Sequence, residues 1–383
     1  MTPYGDLFFF YIMTLALIPA IILGLLGKKI KNYGFVVTLL MLALFIGRDK
    51  IELICFIMFY FGELILIKGY FYIRKKTDNR WIMRITVFLS ILPLILVKFS
   101  PFVTKTVIGF IGISYITFRT VQILLETYDG LISDMGIIDF TYFILFFPSL
   151  SSGPIDRSRN FEASVNKSIE GKVYANEYLP DGVYKIFKGV AYKFLFGNFI
   201  YAYWMMKIPE GHTLAHTISY MYAYTLYLFF DFAGYSSIAI GTGYLLGVKL
   251  PENFNAPFIS RNMKEFWNRW HMSLSFWFRD FIYTRFVMES MKKKRFKSRF
   301  TASYIGYFLT MITMGVWHGF KIHYIIYGLY MAAMIILADY FQRKSKLYKK
   351  YKKRTWWAVT AIVFNFHVVS FGFLIFSGYL LNK

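Results

Sequence analysis

The chain alternates long apolar runs with short, mostly basic interruptions, and that alternation predicts a stack of membrane helices. Residues 7–26 carry no charged side chain, and about 20 apolar residues suffice to cross the hydrocarbon core of a bilayer. No small-residue cleavage site follows, so this run reads as a retained span and not as a removed leader. Further apolar runs cover 33–47, 51–72, 85–97, 107–125 and 140–150, then 213–230 and 232–247, and finally 304–316, 322–338 and 356–380. Pro93 falls inside one of them, where neighbouring helices can satisfy the carbonyl it frees. The expectation is an all-α, polytopic membrane protein of about ten to twelve spans with re-entrant and interfacial helices. It is read as a single domain over 1–383, with 251–319 as its core.

The interruptions are informative. Ser151-Ser152-Gly153-Pro154-Ile155-Asp156-Arg157 is a turn-like break, and 156–182 is the longest polar interval. Residues 183–206 are apolar but carry Lys185, Lys188 and Lys193 at helical spacings, which suits an interfacial helix or one facing a polar cavity. In 232–247, Gly234, Gly243 and Gly247 with Ser236, Ser237 and Ala239 make a small-residue surface for close helix packing. Gly241-Thr242-Gly243-Tyr244-Leu245-Leu246-Gly247 has the wrong spacing, and no preceding strand, for a dinucleotide loop.

Composition sharpens this. The 383 residues are 57% hydrophobic, and only 17% are charged, against about a quarter charged in a typical soluble domain. The net charge of +23 would point to nucleic acid on a soluble protein. Here it marks cytoplasmic loops held against anionic lipid, with no nucleic-acid partner. Lys28-Lys29-Ile30-Lys31, Arg74-Lys75-Lys76 with Arg80 and Arg84, and 343–354 with its eight Lys or Arg are those loops, which places the N-terminus outside. Cys55 is the one cysteine, so neither an internal disulfide nor a cysteine-built zinc site can form.

Candidate chemistry concentrates in 251–319. His318, in Gly315-Val316-Trp317-His318-Gly319, follows thirteen apolar or small residues. An imidazole there needs partners, and its titration range suits a general base. Gly315 and Gly319 would leave room for a close-approaching substrate. A structural histidine bonded to a carbonyl fits the same residues, and both readings stay open. His271 follows Phe266-Trp267-Asn268-Arg269-Trp270, where aromatic and hydrogen-bonding groups favour a supporting role. Asp231 lies within apolar sequence and calls for a partner, an arginine or a tyrosine, or for a cap. His212 and His216 have the i, i+4 spacing of a metal pair but no third ligand, so no metal site is expected. No Gly-x-Ser-x-Gly elbow occurs. Residues 276–291 alternate bulky apolar side chains with charges and run into Lys292-Lys293-Lys294-Arg295. That pattern anchors to anionic lipid, or docks an acidic protein through Phe286, Val287, Met288 and Met291 with Lys292 and Lys293 as steering charge.

These motifs carry a resemblance. Phe147-Pro148, Ser152-Gly153-Pro154-Ile155-Asp156-Arg157, Asp231-Phe232-Ala233-Gly234-Tyr235-Ser236, Pro251-Glu252-Asn253-Phe254, the run Trp267-Asn268-Arg269-Trp270-His271-Met272-Ser273 through Asp280, and Trp317-His318-Gly319 are similar to the membrane-bound O-acyltransferase family. The Trp267–Asp280 form resembles its D-alanyl branch, and the likeness extends over nearly the whole chain from Pro3-Tyr4-Gly5.

The resemblance implies the family's fold around a central funnel, with His318 catalytic and His271 required or supporting. It implies transfer of D-alanine, held as a thioester on phosphopantetheine of an acidic D-alanyl carrier protein (DltC-like), to an acceptor hydroxyl outside the membrane, for D-alanylation of teichoic acid. The stretch around Val287 corresponds to the carrier-docking surface, and Trp267, Arg269, Trp270 and Trp317 become candidates for the pantetheine tunnel. No cofactor is bound permanently, since pantetheine arrives on the carrier. DltD-like and small DltX-like membrane partners, and the multi-pass membrane of a Gram-positive cell, complete the expectation. The alternatives are an O-acetyltransferase of an exopolysaccharide or peptidoglycan, and a non-catalytic transporter or scaffold.

Overall fold

A computed structural model describes residues 3–47, 49–104 and 109–381. Among them the ordered elements are helical, and the extended pairing is one isolated antiparallel bridge between Phe254 and Trp270. Among the described residues, four helices are long and apolar enough to cross a membrane by themselves, at Leu7–Leu25, Arg80–Val103, Ile322–Lys344 and Thr355–Ser377. Shorter apolar helices cover Lys31–Ile46 and Ile137–Ser149. The run expected at 107–125 begins outside the described residues and is helical from Ile113. The chain divides into two compact units, Met1–Val190 with Gly234–Pro251, and Ala191–Ala233 with Glu252–Lys383.

In the first unit, α1 (Leu7–Leu25), α2 (Lys31–Ile46), α3 (Lys50–Arg74) and α4 (Arg80–Thr104) follow one another through short basic turns. Asp49 starts α3 by accepting from the amides of Ile51 at 2.7 Å and Glu52 at 3.2 Å, an N-cap that satisfies two orphan donors. α5 (Ile113–Tyr128) is buried on nearly all sides, as a helix without a solvent or lipid face must be. Its Arg119 explains where the next helix ends. α6 (Ile137–Leu145) stops before Pro148, and the Arg119 guanidinium donates to the carbonyls of Phe143 and Ile144 at 2.9 Å and of Ser149 at 2.7 Å. The proline-induced break thus exposes carbonyls that a buried cation collects. α7 (Ser158–Asn166) and α8 (Leu179–Val190) follow. α9 (Leu214–Leu245) is one long helix whose last part, from Gly234, belongs to this unit. A Cβ on Gly189 would stand 2.5 Å from the Gly234 carbonyl, and one on Gly241 2.5 Å from that of Gly182. The small-residue surface is a helix-packing seam.

The second unit runs from a π-helical segment, Ala191–Gly197, and the start of α9 to α10 (Met263–Trp267), α11 (Met272–Phe278) and, after a second π segment at Arg279–Thr284, α12 (Arg285–Lys292). Then come α13 (Arg299–His318), α14 (Ile322–Lys344) and α15 (Thr355–Ser377). α13 and α14 pack through glycines: a Cβ on Gly315 would lie 2.5 Å from the Tyr324 carbonyl, and one on Gly328 2.6 Å from that of Met311. The room expected beside Gly315 for a substrate is therefore filled by the backbone of α14. Asp231 pairs with Lys193, a lysine and not the expected arginine or tyrosine, which also accounts for one of the cations in the apolar 183–206 run.

Candidate active site

His318 is the last residue of α13, ahead of Gly319. Its ring lies 4.5 Å from Trp317, edge-on to Phe376 at 4.8 Å, and 5.9 Å from Tyr324 at 30°. His323 fastens this wall, because its Nδ1 meets the Phe376 carbonyl at 2.9 Å and its ring stacks on Tyr324 at 4.0 Å. A carbonyl only accepts, so Nδ1 carries the proton.

His271 precedes α11 in a left-handed conformation, φ 43° and ψ 53°. It is 5% exposed, its ring is edge-on to Phe232 at 4.6 Å, and its Nε2 has no hydrogen-bond partner. His271 sits in a break between short helices, outside the span-length ones. Burial first, and the neighbouring His318 second, hold its imidazole below the ordinary range, at about 3. The two histidines singled out in the sequence are thus electrostatic neighbours, and His271 is neutral at physiological pH.

A cavity of about 270 Å³ opens in the same unit. Tyr307, Met311 and Met314 of α13 line it, and at 100° per residue these share one stripe with His318, a turn further on. From Tyr307 to His318 the stripe rises roughly 16 Å at 1.5 Å per residue. Across from it stand Trp267, Lys264 and the π-helical Arg279 and Tyr283. π segments recur at functional sites because the extra residue re-aims side chains. Lys264 pairs with Asp339, which also forms an ion pair with Arg343, 2.8 Å from its Nε. Trp267 lines the cavity with its ring, and its indole N–H is buried without a hydrogen-bond partner.

Of the four tunnel candidates, Trp267 lines this cavity. Trp270 is instead packed between Phe266 and Phe373, Arg269 pairs with Glu265 at 3.1 Å, and Trp317 lies against His318 with the rings tilted by 57°. The stripe 307, 311, 314, 318 was a sequence signal at helical spacing; the pairing of His323 with Phe376, 53 residues on, had none.

On α12, Met288 is 66% and Met291 44% exposed. Lys293 and Arg295 both pair with Glu289, at 3.1 and 2.7 Å, and Phe286 lies 6.4 Å from Phe296. Val287 faces α13, where a Cβ on Gly306 would meet it at 3.0 Å.

A teichoic acid D-alanyltransferase of Bacillus subtilis is 45% identical over 99% of this chain and 98% of its own length. One of Streptococcus thermophilus is 38% identical over 99% and 95%. A probable alginate O-acetylase of Pseudomonas syringae pv. tomato is 32% identical over 60% of this chain and 42% of that protein. Residues 83–381 match the membrane-bound O-acyltransferase family. With that match, near-full-length relatives named as acyltransferases and helices long and apolar enough to span a membrane, the chain belongs to the membrane-bound O-acyltransferase family and is an acyltransferase of the membrane.

Proposed function

We propose that this chain transfers D-alanine from a carrier-protein thioester to an acceptor hydroxyl, for D-alanylation of teichoic acid. The near-full-length relatives carry that activity in their names. The observation that carries the mechanism is the cavity whose α13 wall continues along one stripe to His318. An extended pantetheine arm enters this cavity, and a shift of the Trp267 ring that uncovers its indole N–H lets it donate to one of the arm's carbonyls.

At the inner end the acceptor hydroxyl gives its proton to neutral His318 and its oxygen attacks the thioester carbonyl. The tetrahedral oxyanion collapses, the C–S bond breaks, and the pantetheine thiolate takes the proton back from His318, leaving D-alanyl ester and free thiol. No net proton is consumed. His271, neutral and beside His318, supports the site, and donors nearby stabilise the oxyanion. Bringing both substrates to one histidine supplies proximity and avoids carrying a charged amino acid through lipid. The carrier, an acidic protein, docks on α12, where Met288 and Met291 are the exposed apolar contacts and the basic run 292–299 steers it. The basic loops lie in the cytoplasm and the N-terminus outside. DltD-like and small DltX-like membrane partners complete the reading.

Reconstitution with carrier loaded with labelled D-alanine tests this. Label should pass to acceptor with the native chain and not with His318→Ala; full transfer by a folded, inserted His318→Ala would overturn it. Competition between acetyl and D-alanyl thioesters separates the O-acetyltransferase reading, which rests on shorter matches such as that to the alginate relative.

A further inference from the structure

We propose that Asn253 is the positioning residue for His271, capping α11 from a separate segment so that His271 can hold a left-handed turn with its imidazole directed to the site. This rests on the reading that His271 serves the transfer. An ordinary N-cap residue is extended and turns its own side chain onto the first amides of its helix. His271 occupies that position in α11 but makes no side-chain cap, because a left-handed backbone does not aim the side chain at the amides of the first turn. Those amides still need acceptors.

Asn253 supplies them. Its carbonyl accepts from Met272 N at 2.9 Å, and its Oδ1 accepts from Ser273 N at 3.2 Å and Ser273 Oγ at 2.6 Å. On the other side of the turn, Asn255 N donates to the Arg269 carbonyl at 3.0 Å, and Phe254 bridges Trp270. His271 is therefore gripped on both flanks by 253–255, a segment with no other evident reason to carry a fully buried amide. The side-chain Nδ2 of Asn253 and Nε2 of His271 are both buried without a partner, so the polar atoms that the packing leaves unused flank this turn.

The test uses the full chain in proteoliposomes with D-alanyl-loaded carrier, and histidine-labelled protein in micelles for NMR. Asn253→Ala should lower kcat roughly tenfold or more, the scale expected when a supporting group is misplaced, while KM for the carrier stays within about twofold. Asn253→Asp keeps the acceptor oxygen and should restore most of kcat. Asp49→Ala removes a cap of the same kind from α3 and should leave kcat unchanged. The ring signal of His271, identified by its loss in His271→Asn, should move in Asn253→Ala. Equal kcat in Asn253→Ala and Asp49→Ala, or a His271 signal unmoved in Asn253→Ala, overturns the proposal. Should His271→Ala transfer at the native rate, the role given to His271 fails, yet the NMR arm still reports whether Asn253 positions it.

Discussion

At residue scale the proposed transfer rests on three side chains, and each makes a separable prediction. His318→Ala removes the base and should lower kcat about 10²–10⁴-fold, the usual span for a general base, with insertion unchanged by protease mapping. Trp267→Phe deletes only an N–H that has no partner in the folded chain. It should leave thermal stability level or slightly raised while kcat/KM for the loaded carrier falls about fivefold, the worth of one neutral hydrogen bond; unchanged transfer would mean the indole faces an empty wall. His271 predicts a pH effect. Its folded value near 3 lies below the 6.5 of a free imidazole, so between those values the unfolded chain binds more protons. Its stabilising share is complete above about pH 6.5 and is lost as pH falls toward 3, by at most ~1.4 kcal/mol per pH unit. His271→Asn, whose side chain also tolerates the left-handed turn, lacks that slope. Melting both at pH 7.5 and 5.0 should show the native chain losing more; parallel losses would remove the assignment.

Elements decide where pressure can be applied without breaking the fold. The glycine seam between α13 and α14 leaves no room for a methyl group. Gly315→Ala should therefore cost about 1–3 kcal/mol by overpacking and shift His318 with the end of its helix, seen as a lower melting temperature together with lower kcat. On α12, Val287→Asp would confuse docking with packing, since Val287 lies over Gly306. Met288→Asp is the cleaner probe because Met288 stands 66% exposed. It should weaken carrier binding about tenfold or more, measured by titration, and leave the melting curve in place; an unchanged Kd would move the dock elsewhere. The sequence marked this stretch by its amphipathic spacing and basic end, and that pattern survives as α11, a π segment and α12. Which face looks outward was not legible, because a π segment shifts the register of every later side chain.

Charge acts at the scale of the whole molecule. Within the +23 excess, the stretch 285–299 sets seven basic residues against one acidic. Raising salt from about 50 to 500 mM should raise KM for an acidic carrier several-fold, since the screening length shrinks below 10 Å, while transfer from a small neutral pantetheine thioester stays level. Equal salt sensitivity of both donors would argue against steering.

Apolar run length, basic loops and the Trp-His motifs are local properties of the chain, and they pointed to the helical membrane class and the two histidines; the acyltransferase family came from the resemblance of motifs spread over nearly the whole chain. Hydrophobic matching needs only length and composition, and a motif needs only its neighbours. What surrounds each histidine is non-local. The Lys193–Asp231 pair, the Arg119 clasp on the carbonyls of 143–149 and the Asn253 cap on α11 join residues tens of positions apart. Those partners are selected by packing, where every buried polar group must find an acceptor or donor from whichever segment comes near, and no spacing rule in one dimension encodes that choice.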